Sequence, residues 1–285
     1  MMIQKFDLHT HSRNSDGDYT VEQLVNEIRK NNIEVFSITD HDNFNSAKDI
    51  KNVNLDGLRY ITGIEYSCLH DGKYEMHILG YGFDPENEAM LKSVEWLKTN
   101  RTLRMKDLIA QVEERVNLKF TEEDIQSVLN ENNPGRPHLA KLLIKYGVVN
   151  CSTEAFVSLL RGLKSPHPYR LDTKEAFKLI HDAGGKVLWA HPVKVERKYR
   201  MDITEIIDSL IDTGLDGIEI GNCLHSYSDI LRYEKLANEK NLLTSAGSDY
   251  HGPLTKPDVY LGDVYTSEEQ EIIDPKRLTV LKAVK

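Results

Sequence analysis

Histidine and carboxylate side chains recur where short apolar segments of this sequence end. Six of the eleven histidines follow that pattern, namely His9, His11, His41, His77, His191 and His251. The carboxylates that accompany them are Asp16, Asp40, Asp42, Glu65 and Asp249. Imidazole and carboxylate ligands together suit Mn, Fe, Zn or Co, whereas a site for Mg alone would use oxygen ligands only. The residue types therefore predict a metal centre.

The spacing of two pairs supports that interpretation. Side chains two residues apart in a strand point to the same side, so His9 and His11 can reach one ion. The same reasoning applies to Asp249 and His251.

Other polar residues near these segments are expected to have structural roles. Asp40 and Asp42 flank His41, and each either orients that imidazole or caps a helix. Asp18 is expected to act only as a turn or helix-entry residue. The histidines expected on turns and helices without a catalytic role are His70, His167 and His181.

Alternating strands and helices must position the polar residues. The apolar segment 3–8 predicts a first strand, and Thr20 with Gln23 has the spacing of a capping box before the first helix. Beyond residue 173, strands again alternate with helices, which indicates βα units and a largely parallel sheet of about seven strands. The sequence therefore predicts an α/β fold related to the TIM barrel, with the active site at the C-terminal ends of its strands.

The middle of the chain has a different pattern. From about residue 86 to 163, apolar residues recur mostly at spacings of three and four, which is typical of helices. We therefore expect a barrel formed by residues 1–84 and 164–285, which carries the metal site, and a helical insertion of residues 85–163, which sets substrate specificity.

Composition excludes several classes of protein. The net charge of -9 and the pI of about 5.7 argue against a protein that coats long nucleic acid, but not against a small phosphorylated substrate bound through metal ions. The three cysteines form no CxxC pattern, which favours a reducing compartment without disulfides. No signal peptide is evident, and no apolar segment approaches the roughly 18 residues of a membrane span. We expect a cytoplasmic protein; its oligomeric state cannot be read from the sequence.

Six motifs occur in a recognisable order: "DLHTHSRNSDG", "SITDHDN", "GIEYSC", "EMHILGYGFD", "LWAHP" and "AGSDYHGP". Together they resemble the PHP superfamily, named for polymerase and histidinol phosphatase, over the range from about Lys5 to His251. The segments "RPHLAKLLIKYGVV" and "AFVSLLRGLKSPHPY" resemble the subgroup of nucleoside 3',5'-bisphosphate phosphatases and RNase AM-like 5'-to-3' exoribonucleases. The resemblance implies a distorted (β/α)7 barrel of the TIM-like type with a helical insertion subdomain.

The resemblance also implies a trinuclear centre that holds up to three divalent ions, Mn, Fe or Zn, with Mg allowed at one position. The first ion would be bound by His9, His11, Glu65 and Asp249. Glu65 would bridge to a second ion, whose other ligands would be His77 and His191. The third ion would be held by Asp16, His41 and His251.

Charge and metal chemistry indicate a phosphoester substrate. Three dications with three carboxylates leave positive charge, which suits a phosphate dianion better than a neutral amide. We expect a hydroxide that bridges two ions to attack phosphorus. The catalytic residues that hold it would be His9, His11, Glu65, His191 and Asp249. The group that protonates the leaving oxygen is not identified; His225 is one candidate, and an ordinary loop histidine is the alternative.

The insertion is expected to contact the substrate. Arg136 and His138 lie near a predicted helix start, where they can bind a second phosphate, although a salt bridge of Arg136 is the alternative. We therefore predict a metal-dependent phosphoesterase that acts on a nucleotide. The expected substrate is the 3'-phosphate of a nucleoside 3',5'-bisphosphate or a short 5'-phosphorylated oligoribonucleotide. The alternatives are a metal-dependent C–N hydrolase of the amidohydrolase kind, a histidinol-phosphate phosphatase, and a noncatalytic module that binds metal or nucleotide.

Overall fold

Eight strands form one mixed sheet in the computed structural model, which describes residues 5–264 and 273–284. Ile3 and Gln4 of the predicted first strand lie outside the described residues. The strands are β1 Phe6–Thr10, β2 Val35–Ile38, β3 Arg59–His70, β4 Tyr74–Tyr81, β5 Leu171–Asp172, β6 Lys186–Trp189, β7 Gly217–Gly221 and β8 Leu243–Ala246.

The sheet is parallel except at β4. The strands are hydrogen-bonded in the order β1-β2-β3-β4-β6-β7-β8, and the two-residue β5 pairs with β3. β4 is antiparallel to both β3 and β6. A tight turn reverses the chain before β4, and it contains Asp71 and Gly72 with φ angles of 51° and 64°. The predicted α/β class is confirmed, and the sheet is largely parallel, with β4 as the antiparallel strand among the described residues.

A closed barrel is not confirmed. The hydrogen-bonded path begins at β1 and ends at β8, and the described residues form no continuous ladder between these two strands. An isolated parallel bridge joins Thr10, at the end of β1, to Tyr250, which follows β8. The backbone N–H of His11 donates to Tyr250 O at 2.8 Å, and that of Asp249 donates to His9 O at 2.8 Å. These bonds bring the segment after β8 to the end of β1, where the predicted metal ligands lie.

Helices connect the strands and occupy the middle of the chain. The α-helices are α1 Val21–Lys30, α2 Ser46–Asp49, α3 Glu88–Val116, α4 Glu122–Leu129, α5 Arg136–Lys145, α6 Ser152–Glu154, α7 Thr173–Asp182, α8 Val193–Tyr199, α9 Ile207–Thr213, α10 Tyr227–Lys240 and α11 Val280–Ala283. Short 3-10 helices span Ile50–Asn52, Ile203–Glu205 and Pro275–Arg277, and a π-helical turn spans Ala155–Leu159.

Helix α1 begins as the sequence predicts. The backbone N–H of Thr20 donates to Gln23 Oε1 at 3.0 Å, and the backbone N–H of Gln23 donates to Thr20 Oγ1 at 3.3 Å. This reciprocal pair satisfies two backbone donors at the helix start. The helix buries one apolar face, formed by Val21, Leu24, Val25 and Ile28.

The chain divides into two compact units. One unit comprises Met1–Leu91 and Arg170–Lys285, and the other comprises Lys92–Tyr169. The second unit has its own core, in which Leu108 and Leu139 are fully buried. It stays a prediction that a barrel of residues 1–84 and 164–285 carries the metal site and that an insertion of residues 85–163 sets substrate specificity. None of the helices in residues 5–264 and 273–284 combines the length and the apolar character that a membrane crossing requires.

Candidate metal centre

Strands β1 and β3 bring the first group of donor side chains together. His9 lies in β1, His11 follows it directly, and Glu65 lies in β3. The Nε2 atoms of His9 and His11 lie 3.2 and 3.3 Å from Glu65 Oε2, and 3.5 and 3.2 Å from Asp249 Oδ1. One donor atom of each residue lies within 4.8 Å of the others. The structure thus gathers the four residues predicted for the first ion.

The second carboxylate oxygen of Glu65 faces two further imidazoles. Glu65 Oε1 lies 2.9 Å from His77 Nδ1 and 2.8 Å from His191 Nε2. His191 follows β6, whereas His77 lies inside the antiparallel β4 and therefore not at the C-terminal end of a strand. The residues predicted for the second ion lie together, with Glu65 shared between two groups.

The remaining donors form a third group. Asp16, His41 and His251 lie together with His11 in a set whose donor atoms are within 4.8 Å of one another. His251 Nε2 lies 3.3 Å from Asp16 Oδ1, and His41 Nε2 lies 3.9 Å from Asp16 Oδ2. The other nitrogen of His41, Nδ1, lies 3.0 Å from Glu65 Oε2. The ring of His41 therefore contacts both the third group and Glu65, an arrangement that the sequence does not indicate.

Several of these donor atoms lack a hydrogen-bond partner although they are buried. In the described part of the chain they include His9 Nε2, His11 Nε2, Asp16 Oδ1, His41 Nδ1 and Glu65 Oε2. Buried polar atoms without partners are costly, so their convergence calls for a cation. Ligands of one tetrahedral ion with bonds of about 2.0 Å lie roughly 3.3 Å apart. The donor separations match that value, so the residues present fit divalent metal ions.

The three carboxylates of the cluster are held as anions. Burial opposes the ionisation of Glu65, but His41 and His9 outweigh it and hold the pKa of Glu65 well below its usual value. The pKa values of Asp16 and Asp249 are also well below their usual values despite burial. Anionic oxygens are therefore present at neutral pH to bind cations.

The imidazoles differ in charge state according to their neighbours. Burial lowers the pKa of His11 to about 4, and the nearby rings of His251 and His41 add to that effect. At His41, burial is outweighed by the carboxylates of Glu65 and Asp16, which raise the pKa to about 9. The metal-free cluster therefore holds protons that a cation must displace.

Asp249 and His251 do not share one side of a strand, although their two-residue spacing predicts that they do. β8 ends at Ala246, so neither residue lies in a strand, and Asp249 has a left-handed φ of 59°. The two side chains consequently face different groups of donors. Strained backbone of this kind is characteristic of functional sites.

Comparison with known proteins explains this arrangement. Residues 7–147 match the family described as "PHP domain". This half of the chain is similar to a PHP domain. A 5'-3' exoribonuclease of Haemophilus influenzae is 29% identical over 258 residues, which cover 88% of this chain and 92% of that protein. A 3',5'-nucleoside bisphosphate phosphatase of Chromobacterium violaceum is 27% identical over 257 residues, which cover 88% of each protein.

A solved structure extends this comparison to the fold. A Bifidobacterium adolescentis protein assigned as a metal-dependent phosphoesterase has a TM-score of 0.78 and 27% identity, with 96% of each chain covered. The resemblance inferred from the motifs is thereby confirmed. With the convergent donor set, these matches support an enzyme, a metal-dependent phosphoesterase of the PHP family.

Glu219 orients residues of the donor set, a role that the sequence analysis did not identify. It lies in β7 and is fully buried. Its Oε1 lies 2.8 Å from His9 Nδ1, and its Oε2 accepts the backbone N–H of His191 at 2.6 Å. Because Nδ1 of His9 donates to this carboxylate, Nε2 is left to face Glu65 and Asp249.

Asp40 and Asp42 act on the backbone around the donors. Asp40 accepts hydrogen bonds from the backbone N–H and the hydroxyl of Ser12, both at 2.7 Å, and from the hydroxyl of Ser15 at 2.8 Å. It therefore shapes the loop between His11 and Asp16. Asp42 accepts the backbone N–H of Ser67 at 2.6 Å.

Two lysines contact the outer oxygen of Asp249. Lys256 Nζ lies 2.7 Å from Asp249 Oδ2, and Lys194 Nζ lies 3.5 Å from it. Together with His9, these cations account for the low pKa of this buried carboxylate. Neither lysine lies in one of the six motif segments, so the sequence analysis did not identify them.

His225 is held as a buried structural residue. Its Nδ1 donates to Ile220 O at 2.9 Å, and its ring packs edge-on against Tyr233 with centroids 5.0 Å apart. Burial lowers its pKa to about 4, so the ring is neutral at neutral pH. These contacts offer no support for His225 as the acid that protonates a leaving group.

Two other polar residues depart from or extend their expected roles. His70, expected on a turn, is the buried last residue of β3 and contacts the hydroxyls of Thr173 and Ser209. Asp18 is more than a turn residue, because its Oδ2 accepts the backbone N–H groups of Leu254 and Thr255 at 2.6 and 3.1 Å. It therefore fixes the segment that follows His251.

The predicted substrate contacts lie in the second unit. Arg136 is the first residue of α5, and its Nη2 donates to Leu163 O at 3.3 Å. His138 Nδ1 accepts the backbone N–H of Gly135 at 3.1 Å, so this histidine caps the helix start. Their role in substrate binding stays a prediction.

Proposed function

We propose that the protein hydrolyses a phosphoester of a nucleotide, with divalent metal ions held by the three donor groups. The preferred substrate would be the 3'-phosphate of a nucleoside 3',5'-bisphosphate or a short 5'-phosphorylated oligoribonucleotide. The observation that carries the proposal is the convergence of nine histidine and carboxylate side chains, with donor atoms left unpaired inside the protein. A cytoplasmic location and closure of the sheet into a barrel stay predictions that accompany it.

The proposed ligands divide among the donor groups. His9, His11, Glu65 and Asp249 would hold one ion. Glu65, His77 and His191 would hold a second, and Asp16, His41 and His251 a third. Bound Mn, Fe or Zn ions would supply positive charge for a phosphate group and would lower the pKa of a bound water.

The protein's own groups set the charge balance of the site. Three anionic carboxylates offset only half of the charge of three dications, and Lys194 and Lys256 add positive charge at Asp249. A dianionic phosphate therefore fits this site better than a neutral amide, which disfavours a C–N hydrolase. The lysines also neutralise Asp249 on the side that faces away from His9 and His11.

A substrate panel tests the proposal. Protein reconstituted with Mn²⁺, Fe²⁺ or Zn²⁺ would be assayed for phosphate or nucleotide release. The substrates are adenosine 3',5'-bisphosphate, 5'-phosphorylated oligoribonucleotides, histidinol phosphate, simple phosphomonoesters and an amide series. We expect the nucleotide phosphoesters to give the highest kcat/KM. Inertness toward every phosphoester, or a preference for amides, would refute the proposal.

A pair of histidine variants tests the site itself. His191→Ala should lose bound metal and activity together, because His191 Nε2 lies against Glu65 Oε1. His181→Ala is the matched control, since this half-exposed histidine pairs with Asp216 away from the donor set. Full activity and metal content in His191→Ala would show that the ligand assignment is wrong.

A further inference from the structure

The two carboxylate oxygens of Asp249 face opposite surroundings. Oδ1 lies 3.5 Å from His9 Nε2 and 3.2 Å from His11 Nε2, so it belongs to the first donor group. Oδ2 lies 2.7 Å from Lys256 Nζ and 3.5 Å from Lys194 Nζ. The side chain of Asp249 is 1% exposed, so neither oxygen is turned toward water. The carboxylate therefore offers one oxygen to the donor group and the other to the lysines.

Lys256 holds Asp249 in that orientation by two hydrogen bonds. Its Nζ donates to Asp249 Oδ2 at 2.7 Å and to the main-chain oxygen of the same residue at 3.2 Å. The bond to the ionised carboxylate is of the stronger, charge-assisted kind. A rotation that moved Oδ2 toward the imidazoles of the first donor group would break it. One ammonium thus fixes the side chain of Asp249 relative to its own backbone.

The backbone around Lys256 is anchored independently of its ammonium group. The backbone N–H of Lys256 donates to Gly252 O at 2.9 Å. The preceding residue, Thr255, donates its backbone N–H and its hydroxyl to the two oxygens of Asp18, at 3.1 and 2.8 Å. A change confined to the lysine side chain therefore leaves the bonds that position this loop in place.

Lys194 provides the same charge without the same hold on the carboxylate. Its Nζ lies 3.5 Å from Asp249 Oδ2, which exceeds the usual length of an N–H···O hydrogen bond, and its side chain is 42% exposed. The two lysines therefore separate two effects on Asp249. Lys194 contributes positive charge, whereas Lys256 contributes positive charge and also fixes the orientation of the carboxylate.

The number of oxygens that a carboxylate offers affects which ion a site prefers. Zn²⁺ is commonly bound by about four ligands from imidazole and carboxylate groups, which is the number of residues in the first donor group. Ca²⁺ takes roughly six to eight oxygen ligands and often uses both oxygens of a carboxylate. Because Lys256 holds Oδ2 of Asp249, a Ca²⁺ ion at the first donor group would find one oxygen fewer.

We propose that Lys256 is a positioning residue that sets the ion selectivity of the first donor group. By keeping Asp249 Oδ2 away from that group, it favours ions that need few ligands, such as Zn²⁺, over Ca²⁺. The inference rests on the proposed assignment of Asp249 as a metal ligand, and it adds a selectivity determinant that lies outside the ligand set.

Metal binding measured without turnover tests this role. The affinities of metal-free protein for Zn²⁺ and Ca²⁺ would be determined by competition with a chelating indicator, and the selectivity is their ratio. Lys256→Met should reduce the selectivity for Zn²⁺ by roughly 10-fold, mainly through tighter Ca²⁺ binding, because the freed oxygen can turn toward the donor group. Lys256→Arg keeps the charge and can donate to both acceptors, so it should stay closer to the wild type.

Lys194→Met is the matched control, because it removes a charge near the same oxygen without freeing that oxygen. It should strengthen the binding of both ions alike and leave their ratio within about twofold of the wild-type value. An unchanged ratio in Lys256→Met would overturn the proposal. So would an equal loss of selectivity in both lysine variants, because charge alone would then explain it.

A double-mutant cycle tests whether Lys256 acts through Asp249. In an Asp249→Ala background, Lys256→Met should no longer change the selectivity, because the carboxylate that it orients is absent. A change of the same size in that background would overturn the proposal. A purely structural role of Lys256 would lower the melting temperature of the metal-free protein and leave the ratio of affinities as it is in the wild type.

The outcome is distinguishable from that of the proposed function. Protein that binds the ions with the expected selectivity but cleaves no phosphoester would overturn the proposed function alone. Protein that cleaves nucleotide phosphoesters, and whose selectivity survives Lys256→Met, would overturn the role of Lys256 alone.

Discussion

Glu219→Gln should weaken metal binding, although Glu219 is not itself one of the proposed ligands. The oxygens of Glu219 accept from three donors: Oε1 from His9 Nδ1, and Oε2 from the backbone N–H of His191 and from Asn222 Nδ2. A glutamine side chain offers one acceptor and one donor instead. The backbone N–H can only donate, so the amide oxygen must face His191 and the amide nitrogen must face His9. His9 then carries its proton on Nε2, the nitrogen that faces Glu65 and Asp249.

The expected loss of metal affinity follows from the role of hydrogen bonds that orient metal-binding side chains. Loss of such a partner weakens metal affinity or activity by roughly 10- to 100-fold, or about 1.4 to 2.7 kcal/mol. The assay is metal retention: protein loaded with Mn²⁺ is equilibrated with increasing chelator, and the metal bound is measured by mass spectrometry. Excess Mn²⁺ should restore part of the activity.

Glu234→Gln is the matched control, because Glu234 makes its ion pair with Arg277 outside the donor set. It carries the same chemical change and should retain metal as the wild type does. The reasoning about His9 would be refuted by a Glu219→Gln variant that keeps wild-type metal retention and activity. Equal losses in both variants would point to a general effect of the substitution.

Three further variants test other parts of the structure. Gly247→Ala should lower the free energy of unfolding by about 3 kcal/mol or more in urea denaturation, because a Cβ there would lie 2.3 Å from the backbone nitrogen of His9. His225→Asn should leave both limbs of the pH–rate profile in place while lowering the melting temperature; a shifted limb would restore His225 as a catalytic acid. Glu196→Gln should cost about 2 kcal/mol at neutral pH, since burial of Glu196 is outweighed by its hydrogen bonds from Arg232, which lower its pKa below the usual 4.5. That contribution is complete above pH 4.5 and is lost as pH falls through the lower folded pKa, so urea denaturation of variant and wild type should converge in acid.

The residue spacing was sufficient to predict that His9 and His11 face the same donors. His9 and His11 share a face because the strand period is two, and their Nε2 atoms do reach the same oxygens of Glu65 and Asp249. The α/β class followed from the alternation of elements in the same way. The reversal of β4 follows from its short connection to β3, which runs from His70 to Tyr74, because a parallel connection would need a crossover of a dozen or more residues.

Residues that act through tertiary contacts could not be predicted. Glu219 stands in "GIEIG", an apolar strand with one charged residue, and its role depends on His9, which lies 210 positions away. The ion pairs of Arg170 and Lys198 with Glu75 are likewise long-range, at separations of 95 and 123 residues. No local pattern of residue types encodes such partners, so only the folded chain reveals them.

Asp16 and Asp18 show how one short loop serves two purposes. Asp16 faces His251 and His41 and is a proposed ligand, whereas Asp18 fixes the backbone that follows His251. The contact with that backbone is close, since a Cβ on Gly252 would lie 2.4 Å from Asp18 Oδ2. The loop after β1 therefore both contributes a donor and positions the segment that carries another. Their two-residue spacing is the same as that of His9 and His11, but outside a strand it places the two carboxylates in different environments.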